Sequence, residues 1–228
     1  ENVIIGYGAS QTSVTQVQAV VAIGFEASKA NGNAFGGTHI GWKAADSTSS
    51  KYRSTSVGAL AMSGSATAQD SVAIGYTASG FSTGTISGST TVGYEAGSRS
   101  DAAQTTLIGY QASKDNQAEG IVSLGYQAGF SQTSGASNTN IGYQAGYSTT
   151  TGDNNTSIGY QAGENLSSGN NNTLIGSNSA PSVNTISNEI TLGDSSVSTL
   201  RCAVTTITSL SDERDKSEIK DLEYGLAF

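Results

Sequence analysis

Apolar positions in this chain recur around a glycine. Aligning the sequence on Gly6, Gly24, Gly41, Gly58, Gly75, Gly93, Gly109, Gly125, Gly142, Gly159, Gly176 and Gly193 gives twelve units. Their spacings are 18, 17, 17, 17, 18, 16, 16, 17, 17, 17 and 17 residues. The residue before the glycine is Ile, Val or Leu in every unit, from Ile5 to Leu192. Three before it stands a β-branched residue, from Val3 to Ile190. One after it is aromatic in nine units: Tyr7, Phe25, Trp42, Tyr76, Tyr94, Tyr110, Tyr126, Tyr143 and Tyr160. Three after it is Ala in ten units, from Ala9 to Ala162. The positions between vary and are often polar, as at Glu26, Lys43, Gln111, Gln127, Gln144 and Gln161.

Alternation with a period of two predicts a strand with one apolar face. β-branched and aromatic side chains suit such a pleated surface. All four recurring positions are assigned to that face. The glycine, lacking a Cβ, permits a bend or the close approach of another backbone. The rest of each unit is rich in Ser, Thr, Asn and Gly, as over residues 131–138, 148–155 and 165–172. Those stretches suit turns and a short returning strand.

A unit this short makes no core alone and buries its apolar face only against copies above and below. The predicted fold is therefore all-β: a parallel β-roll or β-solenoid of twelve rungs, about 17 residues each, over residues 1–196. At the spacing of paired strands the stack is roughly 55 Å long. The aromatic residues would form a ladder inside it, with Trp42 in the core. Each rung supplies little apolar surface, and some two-before positions (Ile4, Ala22, Ala73, Leu107, Leu174) are apolar as well. Both points predict several chains packed about the rod axis.

Composition narrows the function. Charged residues are 12% of the 228, about half the usual share. Disorder usually goes with many charges and Pro, and this chain has a single Pro. No apolar run is long enough to cross a membrane as a helix, so no membrane insertion is expected. Acidic residues outnumber basic ones 18 to 10 for a net charge of −8, which argues against nucleic acid as a partner. One Cys and one His leave no disulfide framework and no Cys- or His-based metal site. No cofactor and no metal are expected. Residues 212–228 hold nine of the chain's 28 charges, a step that marks a boundary near Ser211. Residues 197–211 read as a connecting strand region, and Ile219, Leu222 and Leu226 have the spacing of a short helix. Glu1-Asn2-Val3 opens directly into a strand, so the chain reads as a fragment of a longer one.

Individual candidates have plain readings. His39, between Thr38 and Ile40, is placed on the polar side of its strand, at a surface or an interface. Cys202 is read as a buried free thiol. Asp153-Asn154-Asn155 and Asn170-Asn171-Asn172 lack calcium-loop spacing and are read as turns. The recurring Thr three before the glycine suggests an ice-binding ladder, but its assignment to the apolar face argues against that. Glycoside hydrolysis needs paired carboxylates in a cleft, and the few acids of the repeat (Glu26, Glu95, Asp153, Glu164) occupy variable positions.

Two resemblances add to this. Asp70-Ser71-Val72-Ala73-Ile74-Gly75 resembles the "SVAIG" signature of trimeric autotransporter adhesin heads. That resemblance implies a left-handed parallel β-roll with three chains side by side. Ser211-Asp212-Glu213-Arg214-Asp215-Lys216, with Ile219 following, resembles the start of the self-cleaving intramolecular chaperone domain of phage tail fibres and endosialidase tailspikes. It implies that residues 212–228 begin such a domain, with the cut between Ser211 and Asp212. It also makes Ser211 the nucleophile and Lys216 its partner. Glu213, Asp215 and Glu218 surround Lys216 and would raise its pKa, so any activation must come from the folded trimer. Together the resemblances imply a homotrimeric phage tail fibre, located in the virion, that attaches to a host cell-surface receptor such as a glycan. The alternatives are a trimeric adhesin head at a bacterial cell surface and a polysaccharide-degrading tailspike.

Overall fold

The computed structural model describes residues 1–11, 17–29, 34–46, 50–64 and 67–201. The chain divides into two compact units, Glu1–Ser196 and Val197–Phe228. The first is an all-β parallel solenoid, and no helix occurs among the described residues. Its main sheet has twelve strands in sequence order. Each strand ends on the residue before one of the twelve repeat glycines, from Val3–Ile5 to Ile190–Leu192. Every neighbouring pair is parallel and in register: Val122 opposite Thr139, Ser123 opposite Asn140, Leu124 opposite Ile141.

The predicted returning strand forms in the first half only. Val17–Gln18, Ala34–Phe35, Lys51–Tyr52, Thr67–Gln69 and Thr85–Ser87 make a second parallel sheet of five strands. Beyond them the return runs as turns held by buried asparagines. The Asn155 and Asn172 backbone N–H groups donate to the Oδ1 atoms of Asn138 and Asn155, at 2.8 and 2.9 Å. The Nδ2 groups of Asn138, Asn155 and Asn172 donate to the carbonyls of Gly152, Gly169 and Ile186. A column of amides thus joins the backbone bonds that continue along the return, such as Asn154 N–H to the Ala136 carbonyl at 2.9 Å.

The repeat glycine turns the chain at a corner. Gly142 has φ +132°, and its N–H donates to the Leu124 carbonyl at 2.8 Å. A Cβ there would lie 2.3 Å from the carbonyl oxygen of Gly159 in the next rung. Two residues on, the chain enters the left-handed region again, at Glu26, Lys43, Glu95, Gln111, Gln127, Gln144 and Gln161. This corner corrects the predicted faces. The positions three before, one before and one after the glycine point outward. The two-before position points inward, and so does the alanine three after. Ala27, Ala44, Ala78, Ala112 and Ala145 are fully buried, whereas the nine aromatics are all at least 41% exposed. Strict alternation does not carry through a glycine with positive φ followed by a left-handed residue.

The interior is narrow, which explains its residues. Ala22, Ser56, Ala73, Thr91, Leu107, Ser123, Asn140, Ser157 and Leu174 point into it from the main sheet, all buried. Small groups of apolar side chains fill it, such as Ala61, Met62, Ala68, Ala73, Ala78 and Ile86. Trp42 is therefore outside, 48% exposed. His39 is a further correction: as a two-before residue it is fully buried in the interior, its Nδ1 2.9 Å from Ser56 Oγ.

Candidate interaction face

The outward surface of the main sheet is the feature that a solvated rod does not explain. One row is aliphatic in every rung; Ile5, Ile40, Ile74, Ile108, Ile175 and Leu192 in it are 36–58% exposed. Beside it runs the Val and Thr row, half-buried from Val21 to Thr173. A third row is aromatic. Six tyrosines from Tyr76 to Tyr160 stack face to face, with centroids 5.0–5.3 Å apart and planes within 17°. Tyr7 stacks on Phe25 at 5.6 Å. The row is broken at Ala59, and Trp42 beside the break lies under Lys43 Nζ at 5.4 Å.

In-register strands impose this stacking. Parallel pairing sets like residues one strand spacing apart, close to the separation of stacked rings. Stacking occupies the ring faces, so the tyrosines present their edges. At 41–50% exposure, each contributes roughly 60–110 Å², and the six together roughly 400–600 Å². That equals the largest apolar patch of a typical monomer, before the aliphatic row is counted.

A polar ladder borders the aromatic one. Gln161 Nε2 donates to Gln144 Oε1, Gln144 to Gln127 and Gln127 to Gln111, at 3.0–3.2 Å. The series ends on Glu95, whose Oε2 accepts from Gln111 at 2.8 Å and from Lys114 Nζ at 2.7 Å. All the amides point the same way, toward an acceptor that is a charge. Other ion pairs stand on the earlier rungs: Arg53 is bidentate to Asp70, and Glu26 meets both Lys29 and Lys43. The structure supplies no such cation between Lys114 and Arg201, since the sequence has none there.

Glu95 gives a measurable consequence. Lys114 first, then Gln111, hold its carboxyl below the ordinary value of 4.5. As the pH falls, the unfolded chain therefore takes up this proton first. The contribution is whole above about pH 4.5 and fades as the pH drops through the lower folded value. Replacing Glu95 by Gln keeps an acceptor for Gln111 and is expected to cost less than about 1 kcal/mol. Glu95→Ala removes both bonds and is expected to cost about 1–2 kcal/mol. Thermal unfolding at pH 7 and pH 3 checks this: the gap between wild type and Glu95→Ala should narrow in acid.

The turn oxygens of the asparagine-rich loops are engaged within the rod. Asp153 Oδ1 accepts from the Ala136 N–H, and Asn170 Oδ1 from the Asp153 N–H, both at 2.7 Å. Among the described residues, no group of three or more His, Cys, Asp and Glu side chains is placed to hold a metal ion. No helix of the described residues is long and apolar enough to cross a membrane. Ser211, Asp212, Lys216 and Cys202, with most of the 197–211 strand region and the 212–228 helix, lie outside the described residues. Val197–Arg201 are described and carry no strand.

Every residue of the outward rows stands out in the sequence, but alternation alone assigns them to the inside. The signal against that placement is the alanine three after the glycine. Ten small residues at one position mark the tight side of a turn, not the same face as nine large aromatics. No family model, curated protein or solved structure matches this chain.

Proposed function

We propose that this chain is a shaft segment of a homotrimeric phage tail fibre that attaches to the host cell surface. In this reading it leads into an intramolecular chaperone domain that cuts the chain between Ser211 and Asp212. The observation that carries the assembly is the outward stripe of aliphatic and aromatic side chains along the whole main sheet. An in-register parallel solenoid is stiff in itself, and a stripe of that length on it calls for copies of the same stripe. The number three rests on the resemblance to trimeric heads and fibres. Three identical chains also give avidity toward a repeated receptor such as a glycan. The chaperone role of residues 212–228 rests on the Ser211-Asp212 motif alone, with Ser211 as nucleophile and Lys216 as its partner.

Light scattering on the purified chain is expected to give about three times the 23.0 kDa chain mass, with no single-chain species appearing on dilution. A stable species of single-chain mass overturns the assembly. Self-cleavage is checked on the complete gene product beside its Ser211→Ala version. The wild type should run as a shortened fibre chain with a released C-terminal piece, and the variant at full length. Equal full-length masses for both overturn the cleavage and leave the rod standing.

A further inference from the structure

His39 and Lys51 stand apart from everything else inside the roll. They are the only ionisable side chains among the fully buried polar residues that the structure describes. His39 enters from the main-sheet strand Thr38–Ile40, and Lys51 from the returning strand Lys51–Tyr52. At these positions the neighbouring rungs carry Ala22, Ser56, Ala34 and Ala68, in register with them. His39 Nδ1 is engaged with Ser56 Oγ. Its Nε2 is buried without a hydrogen-bond partner. Gly37 closes on that nitrogen so tightly that a Cβ there would stand 2.4 Å away. No Asp or Glu of the described residues is buried in the interior to balance a second positive charge. The charged groups of these rungs that lie outside are Glu26, Lys29, Lys43, Asp46, Arg53 and Asp70. Among the described groups, Lys51 is the one charge that acts on the His39 imidazole.

We propose that His39 is an acid-operated latch. Its protonation opens the strands Val21–Ile23, Thr38–Ile40 and Thr55–Val57 while the strands from Thr106–Ile108 to Thr173–Ile175 stay closed. A closed roll offers the imidazolium no acceptor for its second N–H and sets it across from an ammonium. An opened roll gives the imidazolium water. The later rungs hold Leu107, Ser123, Asn140, Ser157 and Leu174 at the same position, and none of these takes up a proton. Acid therefore acts on one stretch of the rod, a cooperative subunit of the fold.

The direction follows from the titration. Burial first, and Lys51 second, push the imidazole from its ordinary 6.5 down to about 4. Burial pushes Lys51 down to about 8. Between those values the closed roll keeps Lys51 charged and His39 neutral. The open form protonates His39 first as the pH falls below about 6.5, so closure weakens from there until the closed form protonates near 4. Between pH 7 and pH 4.5 the opening equilibrium should rise roughly 50-fold.

The single histidine makes the test direct. Ring-labelled His39 is followed by NMR in the full chain, and hydrogen exchange is read strand by strand, corrected for the intrinsic pH dependence. Expected is a neutral imidazole down to about pH 5 and an acid-induced loss of protection confined to the three named strands. Lys51→Met, which removes the facing charge, should move the imidazole titration upward while it stays below 6.5. His39→Gln should abolish the local acid response, which separates it from the carboxylates outside. An imidazole that titrates like an exposed histidine overturns the proposal. So does an equal loss of protection in both groups of strands, or an acid response that survives in His39→Gln.

Discussion

Gly142→Ala should cost the solenoid about 4 kcal/mol or more, whereas Gly88→Ala should cost about 1 kcal/mol. Both glycines have positive φ, +132° at Gly142 and +63° at Gly88. The strain differs: Gly88 lies in the left-handed region that 24 described non-glycine residues adopt, at φ 41–64°, whereas none of them adopts an angle near +132°. A second difference lies in what a methyl group would touch. At Gly88 the nearest atom is Gln104 Cγ at 3.9 Å, an ordinary contact. At Gly142 it is the Gly159 carbonyl, with the oxygen at 2.3 Å and the carbon at 2.7 Å. That carbonyl is backbone in a column that has no slack. A Cβ on Gly125 would meet Gly142 in the same way, and one on Gly159 would meet Gly176. Relief at one rung would have to shift the rungs on both sides and break the bonds that hold the corner, such as Gly159 N–H to the Ile141 carbonyl at 2.8 Å. Thermal unfolding of the two variants side by side decides this. Similar midpoints for both would mean that the glycine column tolerates separation.

The glycine column also shows how much was legible in the sequence. Its spacing, the strand before it and the parallel stack follow from a count of residues, because each rung can pair only with its own copies. Turn asparagines such as Asn155 and Asn172 were legible for the same reason: their type and place fit a backbone that must bend. Sidedness was not legible. The alternation from Val122 to Leu124 says that these two share a face, and Tyr126 continues the rhythm on paper. It does not say which face holds the core, because Gly125 and the left-handed Gln127 turn the chain between Leu124 and Ala128. The buried pair His39 and Lys51 was illegible for a related reason. An interior lined by alanine and serine has room for a long side chain from one rung, and nothing local reports where that room is. The outward stripe, by contrast, was present in the sequence as the rows themselves, and only its direction was missing.

That direction leads to the other large effect, at two adjacent residues with opposite roles. Leu107→Asp should collapse the rod, and Ile108→Asp should leave the rod folded but unable to assemble. Leu107 is fully buried and packs with Ala112, Ala118 and Ile121. A carboxylate there loses that packing and meets no cation, since the described interior holds its only ionisable residues at His39 and Lys51. The expected cost is about 4 kcal/mol or more. Ile108 is 40% exposed on the outward row. Its replacement changes the folded single chain by no more than about 1 kcal/mol, as surface substitutions do. In a symmetric trimer, however, one substitution appears three times at equivalent places. Three carboxylates would then replace three apolar side chains in the buried stripe, each losing about 1.5–3 kcal/mol of burial before their mutual repulsion is counted. Far-UV circular dichroism should therefore report β structure for Ile108→Asp and its loss for Leu107→Asp. Light scattering should report a single-chain mass for Ile108→Asp. If Ile108→Asp keeps the assembled mass, the outward stripe is not where the chains meet. If Leu107→Asp is the milder of the two, the assignment of inside and outside fails with it.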